Sequence, residues 1–107
     1  MPCRKLAWWL LAAPLACAAA DNAPAPERRA ELVDLVRQDC GSCHGMTLQG
    51  GLGPSLGPAA LAGKDAGQMR YVILHGRRGT PMPPWRDFVS EAEARWIVDL
   101  LRKGFPR

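Results

Sequence analysis

The sequence lacks any segment whose apolar and polar residues alternate in the way that predicts a β-strand, and it contains no internal repeat. Its formal net charge is +4 over 107 residues and +2 without the first 20, which is too small to indicate binding to nucleic acid or to a membrane surface. No apolar run reaches the roughly 20 residues that a transmembrane helix needs. These absences leave a small all-α domain as the predicted fold class.

The first residues have the layout of a secretory signal peptide. Arg4 and Lys5 form a positive start, an apolar run follows over residues 6–16, and Ala18 to Ala20 offer a small-residue cleavage site. This pattern predicts a cleaved leader over residues 1–20 and a periplasmic location for the mature protein. After cleavage we expect no stable insertion into the membrane.

The leader also contains Cys17, which leaves lipid attachment open as an alternative to plain cleavage. Pro14 stands where a lipid-attachment motif needs a leucine-like residue, so plain cleavage is favoured. A short tether rich in alanine and proline is expected over residues 21–26. The remainder, residues 27–107, is long enough for one domain and no more.

Cys40 and Cys43 lie three positions apart and are followed directly by His44. This arrangement is typical of covalent haem attachment, because two thioether bonds fix the porphyrin edge and the histidine can then ligate the iron. Zinc sites and redox-active thiol pairs share the cysteine spacing. The adjoining histidine, and the lack of a second cysteine pair once the leader is removed, favour one covalently bound haem c.

Helical spacing of apolar residues predicts three helices. They are expected from Glu27 to Cys40, from Asp65 or Ala66 to Leu74, and from a capping box at Ser90 to about Lys103. The residues expected to face inward are Leu32, Leu35, Val36, Met69, Val72, Ile73, Ile97, Leu100 and Leu101. Gly41 is expected to end the first helix and Gly76 the second. A single helical turn is predicted between Pro58 and Gly63.

The sixth ligand of a haem iron could come from several side chains, or the position could be open. Met46 is too near His44 in the chain to reach the other side, and Met69 lies on an apolar helical stripe that suits core packing. His75 ends a helix, where an imidazole is usually solvated. Met82 lies in a loop stiffened by three prolines, and we expect it to be the ligand.

This ligand set determines the predicted function. A thioether favours ferrous iron and raises the reduction potential. Two protein ligands leave no vacant position for a substrate, so the pair His44 and Met82 predicts a single-electron carrier and not an enzyme. An open or labile sixth position would instead indicate a haem enzyme or a gas sensor.

The motifs together resemble those of the small class I cytochromes c. The shared features are Cys40-x-x-Cys43-His44-Gly45, Gly53-Pro54-x-Leu56, Ile73-x-x-Gly76 leading to Met82-Pro83, and a final amphipathic helix. The resemblance implies that the N- and C-terminal helices cross and that the haem lies in a crevice between loops. It also implies that the carbonyl of Pro54 accepts a hydrogen bond from the His44 ring.

Within that family, three segments look like the NirC-type periplasmic cytochromes c of denitrification. They are Gly50 to Pro54, Leu74 to Arg77, and Gly79 to Trp85. The resemblance implies electron donation to a haem cd-type nitrite reductase as redox partner. The alternative that it implies is an accessory role in the biosynthesis of the haem d of that reductase. We expect the protein to be a monomer.

Leu32 and Val36 depart from the family pattern, which usually has a small and an aromatic residue at these two places. Trp96 and Leu100 are expected to restore the packed volume, with a helix crossing that is wider or shifted.

Four arginines, Arg70, Arg77, Arg78 and Arg86, surround the predicted Met82 loop. They form either a solvated basic face or a surface that pairs with haem propionates and steers an acidic partner. Trp85 either donates its indole N–H to a propionate or fills the haem crevice.

Overall fold

The computed structural model describes residues 23–106, and every regular element in that range is helical. The elements are α1 (Pro26–Leu35), a π-helical turn (Val36–Cys40) that runs directly into α2 (Gly41–His44), α3 (Pro58–Leu61), α4 (Ala66–His75) and α5 (Glu91–Lys103). The predicted leader over residues 1–20 lies outside the described residues. Within residues 23–106 no helix has both the length and the apolarity needed to cross a bilayer.

The first helix begins at Pro26, one residue before the predicted start and inside the segment assigned to the tether. Proline suits this position because the first amides of a helix have no partner within it. The prediction that Gly41 ends the helix was wrong. Gly41 keeps helical angles and donates its amide to Val36 O across the π-helical turn, and the chain leaves the helix only at Gly45, where φ is +93°.

The second predicted helix is confirmed as α4. Asp65 caps it by accepting a hydrogen bond from the Gln68 amide at 2.8 Å, and Gly76 ends it with φ +71°. Its buried residue is Leu74, whereas the predicted inward residues Met69, Val72 and Ile73 are only half-buried.

The third helix is confirmed as α5, including the reciprocal capping box between Ser90 and Glu93. The buried residues form one stripe at helical spacing and are Ala94, Ile97, Val98 and Leu101. Leu100, which was predicted on this stripe, is half-buried, and Val98 takes the inner position instead. Arg102 and Lys103 lie at the C-terminal end, where positive charge is favourable to the helix dipole.

Arg28 ties the start of α1 to the start of α5. Its guanidinium donates to both carboxylate oxygens of Glu93, to Phe88 O at 2.7 Å and to Glu31 at 2.8 Å. The hydrogen bonds with Glu93 and, after them, Glu31 raise the pKa of Arg28, and the hydrogen bond from Arg28 lowers the pKa of the Glu93 carboxyl. Because Glu93 is also the partner of Ser90 in the capping box, one carboxylate joins the two helix starts.

The core is a small aliphatic cluster in which Leu32 and Val36 are completely buried. The other members are Leu48, Leu61, Leu74, Val89, Ala94, Ile97 and Leu101. Leu32, which is larger than the small residue usual at this place in class I cytochromes c, thus lies in one cluster with residues of α5, among them the small Ala94. Several apolar side chains around this cluster stay half-buried, including Leu56, Met69, Ile73 and Trp85.

Candidate haem-binding site

The two thiols of the attachment motif lie on consecutive turns of helical backbone. Cys40 ends the π-helical turn and is half-buried, whereas Cys43 lies in α2 and is exposed, and the two form no disulfide. Burial, together with the neighbouring Asp39, raises the pKa of Cys40 to about 11. The attacking thiol of a redox-active pair needs a lowered pKa, so the raised pKa of Cys40 does not suit that role.

The ring of His44 is oriented by the loop that follows it. Its Nδ1 lies 2.7 Å from the carbonyl oxygen of Pro54. A carbonyl oxygen can only accept, so Nδ1 carries the proton and Nε2 is left with its lone pair for a metal. This is the contact that the resemblance to class I cytochromes c implied for Pro54.

Gly53 allows the loop to approach that ring closely. A β-carbon at Gly53 would lie 2.9 Å from both Nδ1 and Cε1 of His44. Any side chain would therefore push the imidazole away from the Pro54 carbonyl.

The backbone of the same loop closes the end of α2. The amide of Gly50 donates to His44 O at 2.8 Å, and the amide of Gly53 donates to Cys43 O at 2.7 Å. The final carbonyls of the short helix are thereby satisfied by the chain itself. The attachment motif and the loop that orients His44 form one hydrogen-bonded unit.

The loop of Met82 is anchored at the end of α4. The amide of Trp85 donates to Ile73 O at 2.9 Å, and the amide of Arg77 donates to Met82 O at 3.3 Å. Thr80 accepts a hydrogen bond from the Met82 amide through its hydroxyl at 3.4 Å. The Met82 side chain is half-buried.

The other candidates for the sixth position have different surroundings. Met46 is 66% exposed and lies beside Gly41 on the attachment turn. Met69 packs half-buried against the aliphatic core. His75 is exposed, and its ring lies 4.5 Å from that of Tyr71, centroid to centroid. Met82 therefore remains the predicted ligand.

The residues present fit a covalently attached haem. They supply two unpaired thiols, an imidazole with a free Nε2 and a half-buried thioether, with half-buried apolar side chains at the edge of the core. Over residues 23–106, no group of three or more histidine, cysteine or acidic side chains could hold a metal ion by itself. The donor set suits a haem, whose iron accepts an imidazole and a thioether as ligands.

The sequence profile of the family described as "Cytochrome C oxidase, cbb3-type, subunit III" matches residues 27–101. The chain belongs to this family of c-type cytochromes. This cytochrome therefore carries covalently bound haem c and takes part in electron transfer, and the predicted cofactor and all-α class I fold are confirmed.

Two similar proteins support the assignment. "Cytochrome c55X" of Pseudomonas aeruginosa is 49% identical to this cytochrome over 100 residues, which are 91% of this chain and 84% of the relative. The solved structure of "c-type cytochrome NirC" matches with a TM-score of 0.74 and 50% identity, over 75% of this chain and 94% of that one. The predicted likeness to NirC-type cytochromes is confirmed.

A third relative is a larger protein. "Dihydro-heme d1 dehydrogenase" of Pseudomonas aeruginosa is 41% identical over 73 residues. The match covers 68% of this cytochrome but only 15% of the dehydrogenase. The similarity is thus confined to one small part of that enzyme.

Proposed function

We propose that this cytochrome is a periplasmic single-electron carrier in which Cys40 and Cys43 hold one haem c. His44 and Met82 are the axial ligands in this proposal, and Pro54 orients His44. The hydrogen bond of 2.7 Å between His44 Nδ1 and Pro54 O carries the proposal, because it holds the ring in place and leaves the lone pair of Nε2 available to a metal.

Haem iron supplies one-electron redox chemistry, and a histidine–methionine pair raises its reduction potential. The protein's part is to hold the imidazole and the thioether in place. Both are held through loops that are fixed by main-chain hydrogen bonds. If His44 and Met82 both ligate the iron, no position on it would remain for a substrate, and the protein would act as a carrier and not as an enzyme.

Optical spectroscopy of Met82→Ala tests the axial ligand. Loss of the thioether should abolish the weak far-red band that ferric haem shows with a sulfur ligand, lower the potential and admit carbon monoxide. Met69→Leu and Met46→Leu are matched controls and should keep the band. If Met82→Ala binds no carbon monoxide, another residue is the ligand.

The proposed layout of the chain is a cleaved leader over residues 1–20, a tether over residues 21–26 and a monohaem domain over residues 27–107. The pattern of the first 20 residues supports it. The intact mass of the secreted protein should equal that of the shortened chain plus one haem. A mass that includes the leader, a lipid or a second haem would contradict this layout.

The proposed partner is a haem cd-type nitrite reductase of denitrification, to which a monomer of this protein donates electrons. The likeness to NirC supports this proposal. When the reduced cytochrome is mixed with the isolated reductase, the cytochrome should be oxidised at a rate at least equal to the turnover rate of the reductase. Electron transfer much slower than turnover would argue against this partner.

The alternative is an accessory role in the biosynthesis of haem d. The similarity to part of a dihydro-heme d1 dehydrogenase favours it. A deletion strain distinguishes the two roles. If the gene serves maturation, the reductase isolated from the strain should lack haem d and be inactive. If the protein is only an electron donor, the isolated reductase should be complete.

A further inference from the structure

The loop of Met82 lies directly against the C-terminal end of α4. The amides of Trp85 and Arg86 donate to the carbonyls of Ile73 and Leu74, at 2.9 and 3.3 Å. Carbonyls in the last turn of a helix have no partner within it, so the loop supplies hydrogen bonds that the helix end needs. The helix end and the loop are therefore held together main chain to main chain.

Gly76 lies at the centre of this contact. A β-carbon at Gly76 would lie 2.7 Å from Met82 O, 2.9 Å from Pro83 C and 3.0 Å from Pro84 N. All three are backbone atoms, and the prolines fix the dihedral angles around them. The loop cannot relieve such a clash by rotating a side chain, so it would have to move as a whole.

We propose that Gly76 is a positioning residue for Met82. Its lack of a side chain allows the Met82 backbone to lie against the end of α4, which sets where the thioether is presented. This inference rests on the proposed role of Met82 as sixth ligand. Gly76→Ala should displace the loop and weaken the bond between sulfur and iron.

Gly79 provides a matched control within the same loop. Its φ of +72° is nearly the same as the +71° of Gly76, so alanine meets a similar backbone strain at either position. A β-carbon at Gly79, however, would have no neighbour within 4 Å. The difference between the two variants therefore isolates the contact with the Met82 loop.

The experiment is an imidazole titration of the ferric holoprotein, followed by the far-red sulfur band, together with a measurement of the reduction potential. Gly76→Ala should bind imidazole at least about tenfold more tightly than Gly79→Ala, with a lower potential. Equal imidazole affinities and equal potentials would overturn the proposal. If the unmodified protein itself lacks the sulfur band, the assignment of Met82 as ligand is wrong. This result is distinct from one that contradicts only the positioning role of Gly76.

Hydrogen exchange of the unmodified holoprotein tests the same contact without a variant that has to fold. Imidazole at a concentration that displaces the sulfur should accelerate exchange of the Arg77 and Trp85 amides by about tenfold or more. The Ala94 amide, which donates to Ser90 O in α5, should be unaffected. Unchanged protection of Arg77 and Trp85 would overturn the proposal.

Discussion

The imidazole of His44 is held by one hydrogen bond and by one close approach of the backbone. The hydrogen bond from Nδ1 to Pro54 fixes which nitrogen carries the proton, and Gly53 leaves room for the ring. A ligand held in this way has little freedom to rotate, so the direction of its Nε2 lone pair is set by the contact with the Pro54 carbonyl.

Gly53→Ala should disturb His44 while leaving the haem attached. The added methyl would lie 2.9 Å from the ring, an overpacking that costs about 1–3 kcal/mol and lengthens the hydrogen bond to Pro54. We expect a changed reduction potential and shifted His44 ring resonances in the NMR spectrum. Gly57→Ala in the same loop is the control, because its β-carbon would meet only Ser55 Oγ, at 3.3 Å, and no atom of His44. The same potential in both variants would contradict this role of Gly53.

The sequence predicts the attachment motif because its spacing follows from haem chemistry. The pairing of His44 with Pro54 was implied only by family resemblance, since no local pattern links residues ten apart. The close contacts of Gly53 and Gly76 could not be predicted, because both depend on backbone that returns from elsewhere in the chain. A glycine followed by proline was the only sequence signal at Gly53.

The helix starts are joined through Glu93, which serves both Arg28 and the capping box of Ser90. Because the folded protein lowers the pKa of this carboxyl, the unfolded state binds its proton more readily. The contribution of Glu93 to stability is therefore complete above its unfolded pKa of about 4.3. It is lost as the pH falls through the lower pKa of the folded state.

Glu93→Gln should be destabilising at neutral pH and progressively less so in acid. Denaturant unfolding of both holoproteins at several pH values measures the difference in their free energy of unfolding. Glu91→Gln is the control, because Glu91 lies in the same first turn but makes no ion pair within residues 23–106. If the loss of unfolding free energy in Glu93→Gln stays constant down to about pH 2, the charge of the Glu93 carboxylate does not contribute to stability.

Periodicity predicts where α4 lies but not which of its faces enters the aliphatic core. Met69 and Ile73 are apolar and half-buried, whereas Leu74 is the residue that is buried. A face toward a cofactor and a face toward a core both select apolar residues, so spacing alone cannot separate them. The π-helical turn at Val36–Cys40 also has no sequence signal, and it carries the helix past Gly41.

At the scale of the whole molecule, the aliphatic core is too small to bury all the apolar side chains around it. Leu35, Leu56, Ile73 and Trp96 remain half-buried at its border. A domain of this size is only marginally stable by itself, and a bound apolar group adds stability to the folded state.

The double variant Cys40→Ser, Cys43→Ser, which cannot attach haem covalently, should therefore lose its cooperative thermal transition. Circular dichroism during heating measures this, with the unmodified holoprotein as reference. Ser42→Ala, between the two cysteines, is the control and should unfold like the holoprotein. A sharp transition of the double variant at the temperature of the holoprotein would mean that the chain folds without its cofactor.

From the arginines around the Met82 loop we predict how the rate of electron transfer depends on salt concentration. Arg77 and Arg78 are exposed, and charge steering accelerates association with an acidic partner mainly at low ionic strength. The double variant Arg77→Gln, Arg78→Gln should slow electron transfer to the proposed reductase by about threefold to tenfold at low salt, and less at high salt. Arg102→Gln with Lys103→Gln, at the far end of α5, should have a smaller effect. Equal effects of the two pairs would indicate that only net charge matters.

The loops that follow α2 and α4 are held by hydrogen bonds from their own amides, and few surface side chains take part. Evolution can therefore alter the exterior of this cytochrome without disturbing what grips its prosthetic group. Substitution of surface residues alone can therefore adapt such a scaffold to a different redox partner. The same scaffold can also be fused as a domain into a longer chain.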